Sequence, residues 1–218
     1  MSLTEIWHPE VTSLKFLQKW IWNVSLRVNK EGGGAATLIN PQIKTHPRKD
    51  LNDPQLEAVW CEIYVQNKRI LLASVYIPPG QESEMDLLIN TLETVSSSNE
   101  NIIIMGDLNA KHPMWYNNES NTLGNKLSSY LTCSEFNIAN NSMHTYKSSI
   151  IDLTLVKGCK NLLSNWSAHP DIFVNTDHTM IMFNLSLNVK KKTSLGGIQG
   201  KQIGKNGKIN LKKHTEEH

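Results

Sequence analysis

The sequence predicts an α/β fold, a β-sandwich with helices on its outside. Three observations lead there. Many short segments are apolar or alternate apolar with polar residues, two or three have helical spacing, and long loops separate them. With 218 residues, 39% hydrophobic and 19% charged, the chain suits one large globular domain, or one domain and a tail.

The elements follow in order. Leu3 to Trp7 is a short segment stopped by His8-Pro9, and Leu14, Leu17 and Ile21 have weak helical spacing. Trp22, Val24, Leu26 and Val28 alternate with Asn23, Ser25 and Arg27, a strand pattern. NKEGGG at 29–34 is a turn, and Ala35 to Asn40 is the returning strand. Pro41 to Pro54, with three prolines, reads as a loop. Val59, Cys61, Ile63 and Val65 alternate again, and after a turn at 66–68 the apolar run Arg69 to Ile77 forms a strand that Pro78-Pro79-Gly80 ends. Met85, Leu88, Ile89, Leu92 and Val95 predict a helix, and Leu123, Leu127, Tyr130 and Leu131 another that runs to about Phe136. Ile138-Ala139, Ile150 to Val156, the surroundings of Trp166, and Thr179 to Leu187 complete the strands.

Residues 190–218 hold eight of the 22 Lys+Arg and two of the 20 Asp+Glu, and are almost free of large apolar groups, so a disordered Lys-rich tail is expected after a domain over 1–189. The first 189 residues then carry 14 basic against 18 acidic groups, or −4. A body of that sign does not grip phosphates through bulk charge, but it can act on them if a metal ion neutralises an acidic pocket. There is no run of about 18 apolar residues, so no membrane span is expected. MSLTEIWHPE has no basic and then apolar leader pattern. Cys61, Cys133 and Cys159 have no metal-ligand spacing and read as thiols in a reducing, intracellular compartment.

Candidate chemistry starts at IIIMGDLNAKHPMW, 102–115. The strand Ile102 to Ile104 runs into Gly106, and Asp107 and Asn109 sit at alternate positions, which in extended chain share a face. A carboxylate beside a neutral amide can orient water and a phosphate oxygen, or hold a divalent cation; an Asp/Asn turn after a strand is the structural alternative. Tyr76 ends an apolar strand, where capping the core is the plainer role. Asp152 lies among apolar strand residues and needs a His, an Arg or a metal. His178, in Asp177-His178 before the last strand, can be that partner, since a carboxylate that fixes an imidazole's tautomer is a recurring device.

YIPP at 76–79, GDLN at 106–109, IIDLTL at 150–155 and TDH at 176–178 come in the order of the endonuclease/exonuclease/phosphatase superfamily. GGGAATLIN resembles the glycine-rich hairpin of its apurinic-like endonuclease domain in non-LTR retrotransposons of the jockey type, and NAKHPMW resembles the segment after the GDxN motif. The resemblance covers about residues 3–188. It implies a four-layered α/β/β/α sandwich of two mixed β-sheets flanked by helices, Mg²⁺-dependent phosphodiester cleavage (Mn²⁺ as a substitute), DNA as substrate, and a monomer acting in the nucleus.

Residue by residue, the resemblance implies that Glu5 and Asp177 belong to the metal region and that Tyr76 contacts the scissile phosphate. Asp107 then positions or deprotonates the attacking water, Asn109 orients the phosphate, and His178 is the catalytic histidine that Asp152 orients. Lys111, His112 and Trp115 are candidate DNA contacts, with core packing the alternative for Trp115. The family's first strand, which carries an asparagine and precedes the glutamate, has no counterpart before Glu5. The expectation is therefore an N-terminally truncated domain with weak or no nuclease activity and unpaired ladder groups on neighbouring strands. The reverse transcriptase expected in a full-length element is likewise absent. Two alternatives stay open: a non-catalytic DNA- or protein-binding remnant, and a phosphatase of small phosphate esters.

Overall fold

The apolar run at 69–77 becomes the middle of a six-stranded sheet. In the computed structural model, residues 1–4, 19–27, 33–65, 68–170 and 176–185 are described. Along them lie β1 (Ser2–Thr4), β2 (Ile21–Ser25), β3 (Ala35–Ile39), β4 (Lys44–Pro47), β5 (Glu57–Val65) and β6 (Lys68–Tyr76). Then come α1 (Glu82–Ser96), β7 (Ile102–Asp107), α2 (Thr122–Cys133), β8 (Asn137–Ile138), β9 (Asp152–Lys157), β10 (Leu163–His169) and β11 (Met180–Leu185).

The large sheet has the order β4-β5-β6-β7-β9-β8. Only β6 and β7 are parallel among these pairs, because α1 between them returns the chain to the end of the sheet where β6 began; the other pairs are antiparallel. The sheet is therefore mixed. Its strands bury both faces, which is why they read as long apolar runs.

On one face Trp60, Leu71, Ala73, Val75, Ile102, Ile104, Leu153 and Leu155 pack against Met85, Leu88, Leu92 and Val95 of α1 and Leu123, Leu127 and Leu131 of α2. These helix positions recur at three and four residues, the apolar stripe that predicted both helices. On the other face Cys61, Ile63, Ile70, Leu72, Ile103 and Val156 meet Ile39 of β3 and Leu163, Phe183 and Leu185 of β10 and β11. That facing layer consists of two small antiparallel sheets, β1-β3-β2 and β10-β11.

The structure differs from the sequence reading in a few places. The stretch 41–54 is not all loop: it holds β4 and a 3₁₀ turn at Lys49–Leu51. β4 is short, exposed and at the sheet edge, where Pro47 is tolerated, so it carries no hydrophobic signal. Asp152 is the first residue of β9, not embedded within a strand. Glu5, the expected helix around Leu14 and Leu17, and the tail from 190 lie outside the described residues. Among the described residues no helix is long and apolar enough to cross a membrane. Cys61 and Cys159 are buried free thiols, and Cys133 is exposed; burial pushes the Cys159 thiol up to about 11.

Candidate active site

Strand register sets four polar side chains in one row. Glu57 lies opposite Tyr76 across β5 and β6. Asp107 lies opposite Asp152 across β7 and β9. The parallel register of β6 and β7 pairs Ser74 with Met105, and the Ile77 amide donates to the Asp107 carbonyl at 2.9 Å, which brings Tyr76 beside Asp107. Directly opposed residues point to the same face. Counting in twos from Cys61, Leu72, Ile103 and Val156 places Glu57, Tyr76, Asp107 and Asp152 on the face toward the small sheets. Adjacent strands are about 4.8 Å apart, so the row spans roughly 14 Å at one end of the cleft between layers.

Gly106 makes that row possible. Its φ is +154°, and a Cβ placed on it would sit 1.8 Å from the Val75 carbonyl oxygen. Only a residue without a side chain lets β7 run this close to β6 immediately before Asp107.

Asp107 is 2% exposed. Its Oδ1 accepts the Asn109 amide at 3.0 Å and its Oδ2 accepts Asn109 Nδ2 at 3.0 Å. Asn109 Nδ2 also donates to the Ile77 carbonyl at 3.0 Å, and Asn109 itself is left-handed, φ +45°. The two side chains therefore meet through a turn that closes on the carboxylate, not through strand alternation. Asparagine tolerates that backbone and supplies the amide that completes it.

Asp152 meets the partner it needs. His178 Nδ1 lies 3.0 and 3.1 Å from its two oxygens, in a pair that is mostly shielded from solvent. An ionised carboxylate only accepts, so Nδ1 carries the proton and the ring's chemistry is directed to Nε2. The Asp152 backbone is fixed as well: Thr145 Oγ1 accepts the amides of Ile151 and Asp152 at 3.1 and 3.0 Å, and Asn140 Nδ2 donates to the Asp152 carbonyl at 2.8 Å. Thr145 also holds the histidine segment, since the Thr179 amide donates to its carbonyl at 2.8 Å. The Tyr146 ring packs on the imidazole with centroids 4.7 Å apart. Thr145, Tyr146 and Asn140 lie in a polar loop with no periodic signal, and sequence reading missed them.

The remaining candidates differ in exposure and partners. Tyr76 is 6% exposed, with the Arg27 guanidinium 5.8 Å from its ring centroid. Asp177 adjoins His178, but its carboxylate is exposed and pairs with Lys147 Nζ at 3.2 Å. Lys111 and His112 are partly buried at the start of the loop to α2, and His112 Nδ1 accepts the Met114 amide at 3.1 Å. Trp115 is corrected: it is fully buried in the helix-side core, with Nε1 donating to the Ala110 carbonyl at 3.0 Å, and it presents no surface to a substrate.

The donor set suits a hard cation. Mg²⁺ takes oxygen ligands and is held by one or two carboxylates, with waters and substrate phosphate filling the other positions. Asp107 supplies two carboxylate oxygens, one accepting the Asn109 amide and the other Asn109 Nδ2, and a carboxylate oxygen is a ligand type that Mg²⁺ takes. Among the described residues no three His, Cys, Asp or Glu groups gather as metal ligands.

Comparison with known proteins bears on the family and the fold. A family profile described as endonuclease-reverse transcriptase matches residues 70–182, the segment that holds Tyr76, Asp107, Asn109, Asp152 and His178. No curated protein sequence matches the chain. Among solved structures, the chain is similar to the endonuclease domain of TRAS1, a telomere-specific non-LTR retrotransposon, with a TM-score of 0.64 at 20% identity over 77% of this chain and 81% of that one. It is similar to the 3'-5' exonuclease NExo from Neisseria meningitidis, TM-score 0.62 at 14% identity over 85% and 88%. The AP endonuclease LMAP from Leishmania major gives 0.63 at 12% identity over 85% and 78%. The mixed sheet and its flanking helices are the architecture these proteins share.

Proposed function

The chain belongs to the endonuclease-reverse transcriptase family, and from that membership we propose that it is a metal-dependent phosphodiesterase, the DNA-nicking endonuclease domain of a non-LTR retrotransposon. The observation that carries the reading is the Asp152–His178 pair next in the row to Asp107. A carboxylate-held imidazole beside a second, separately anchored carboxylate is a constellation for hydrolysis of a phosphate ester.

Asp107, locked by Asn109, holds the attacking water and accepts a proton from it as its oxygen bonds to phosphorus. His178, held as Nδ1–H by Asp152, faces the extra negative charge that develops on the phosphoryl oxygens, and as an imidazolium it stabilises that charge. As the bond from water forms, the phosphorus–oxygen bond on the opposite side breaks, and the leaving oxygen takes its proton from solvent water. Tyr76, which lies between Glu57 and Asp107 in the row, is the proposed contact to the scissile phosphate. Lys111 and His112 are proposed contacts to the flanking strand. Glu5 and Asp177 are the proposed metal ligands, as the resemblance implies; they would hold Mg²⁺, or Mn²⁺ in its place, which when bound neutralises phosphate charge as a Lewis acid. The site of action is nuclear DNA, and the protein works as a monomer.

A plasmid-nicking assay on this chain tests the reading. Conversion of supercoiled to open-circular DNA with Mg²⁺, abolished by EDTA and by His178→Ala, supports it. DNA binding without conversion by the unmodified chain would leave a binding module in its place, and hydrolysis of a small phosphomonoester but not of DNA would leave a phosphatase.

A further inference from the structure

At the end of the row opposite to Asp152 lies a second charged pair that the hydrolytic scheme above does not use. Arg27 follows β2 on the smaller sheet, and its guanidinium is ion-paired with Glu57 on the large sheet, with Nε 2.5 Å from Oε1 and a second nitrogen on the same oxygen. The other Glu57 oxygen accepts the Gly34 amide at the start of β3. Glu57 therefore binds both strands of the glycine-rich hairpin to the large sheet, at the residue directly opposite Tyr76. The pair is mostly removed from solvent, with side-chain exposures of 22% and 12%, and the guanidinium carbon lies 5.8 Å from the Tyr76 ring centroid. That is within the range in which a cation is attracted to an aromatic face.

We propose that Arg27 is a positioning residue for Tyr76: anchored by Glu57, it presses the tyrosine ring into the row and sets the phenol against the scissile phosphate. This rests on the nuclease reading of the same site. Three features favour a positioning role over simple sheet-to-sheet glue. Arginine's rigid fork keeps two N–H groups on one carboxylate while leaving its flat face for a ring. Glu57 is fixed from two directions, so the arginine cannot swing away without breaking a largely desolvated ion pair. Space at the hairpin is tight as well: a Cβ on Gly33, itself at φ +86°, would sit 2.5 Å from Glu57 Oε2 and 2.7 Å from the Arg27 guanidinium carbon.

The test is a double-mutant cycle of Arg27→Ala and Tyr76→Phe, read in two ways. In steady-state nicking with Mg²⁺, Arg27→Ala should lower kcat about tenfold with KM nearly unchanged. In the Tyr76→Phe background the same substitution should lower it by less than about twofold, because the group through which it acts has gone. Arg27→Lys, which keeps the charge but not the fork, should restore only part of the loss. Equal losses in both backgrounds overturn the proposal. The second readout is urea stability of the unmodified chain, Arg27→Ala, Tyr76→Ala and their double variant, which needs no activity. A contact between guanidinium and ring requires Arg27→Ala and Tyr76→Ala to be non-additive, and additivity overturns the proposal even if the unmodified chain does not nick DNA. Absence of nicking by the unmodified chain, with non-additive stabilities, removes the nuclease reading and leaves the Arg27–Tyr76 contact standing.

Discussion

Asp107 and Asp152 are direct cross-strand partners, yet each carboxylate has a neighbour of its own: Asn109 for the first, His178 for the second. Asn109 and His178 give each carboxylate a hydrogen-bonding partner of its own, so the two are held separately.

Asp152→Asn should leave the backbone in place, since its amide and carbonyl bonds to Thr145 and Asn140 do not involve the side chain. It removes the acceptor that fixes Nδ1–H on His178. Nicking should fall by a factor of about 10² to 10⁴, the range for loss of a positioned acid–base group. His178→Ala should fall as far, and the double variant little further, because the two act as a unit. Fluorescence anisotropy with labelled duplex should find DNA affinity within about twofold of the parent for all three; additive losses in rate would dismantle the pair as a unit.

Gly106→Ala meets the Val75 carbonyl from a backbone conformation that other residues rarely adopt. We expect more than about 3 kcal/mol of destabilisation, or no folded protein. Urea unfolding measures it, and a cost under 1 kcal/mol, the ordinary range for a surface change, would contradict the close approach of β6 and β7.

Trp115→Ala should cost about 3–5 kcal/mol, the usual range for emptying a large buried aromatic site. The folded fraction should bind DNA as the parent does. Lys111→Ala should show the opposite pattern, with unchanged stability and a salt dependence of binding shallower by about one unit. Weaker DNA binding by fully folded Trp115→Ala would restore the tryptophan as a contact.

Stability should fall in acid partly through Glu62. Burial would raise its carboxyl, but hydrogen bonds from Tyr64 and Arg48 and the charges of Arg69 and Arg48 outweigh this and hold it below the ordinary glutamate range. A depressed folded-state value means the unfolded chain binds the proton first. The contribution is thus complete above the ordinary glutamate value of about 4.5 and lost as pH falls through the lower folded value. Denaturant titrations from pH 6 to pH 3 should show a steeper decline for the parent than for Glu62→Gln; parallel curves would remove Glu62 from the account.

How much of this could be read in advance depends on where each residue's partner lies. Asp152 was legible because a carboxylate among isoleucines and leucines needs company, and His178, 26 residues on, supplies it. The Asp107–Asn109 pairing was legible for an incomplete reason: alternation put them on one side, whereas the left-handed Asn109 closes the turn. Thr145 was not legible, since a threonine in a polar loop looks the same whether or not it accepts two backbone amides. Arg27 and Glu57 were invisible for a related reason. Their meeting requires the register of β5 against β6 and the seating of one sheet on another, and no window of consecutive residues contains either. β4 escaped notice because edge strands need no apolar alternation.

The row at the cleft also bears on which changes of length the gene can tolerate. Glu57, Tyr76, Asp107 and Asp152 belong to four different strands and share one side only through parity. Deleting or inserting a single codon within β7 would swing Asp107 toward the helices and bring a neighbour round in its stead, while the apolar layers traded places behind it. Length variation should therefore collect in the connecting loops, and the strands should vary by substitution alone.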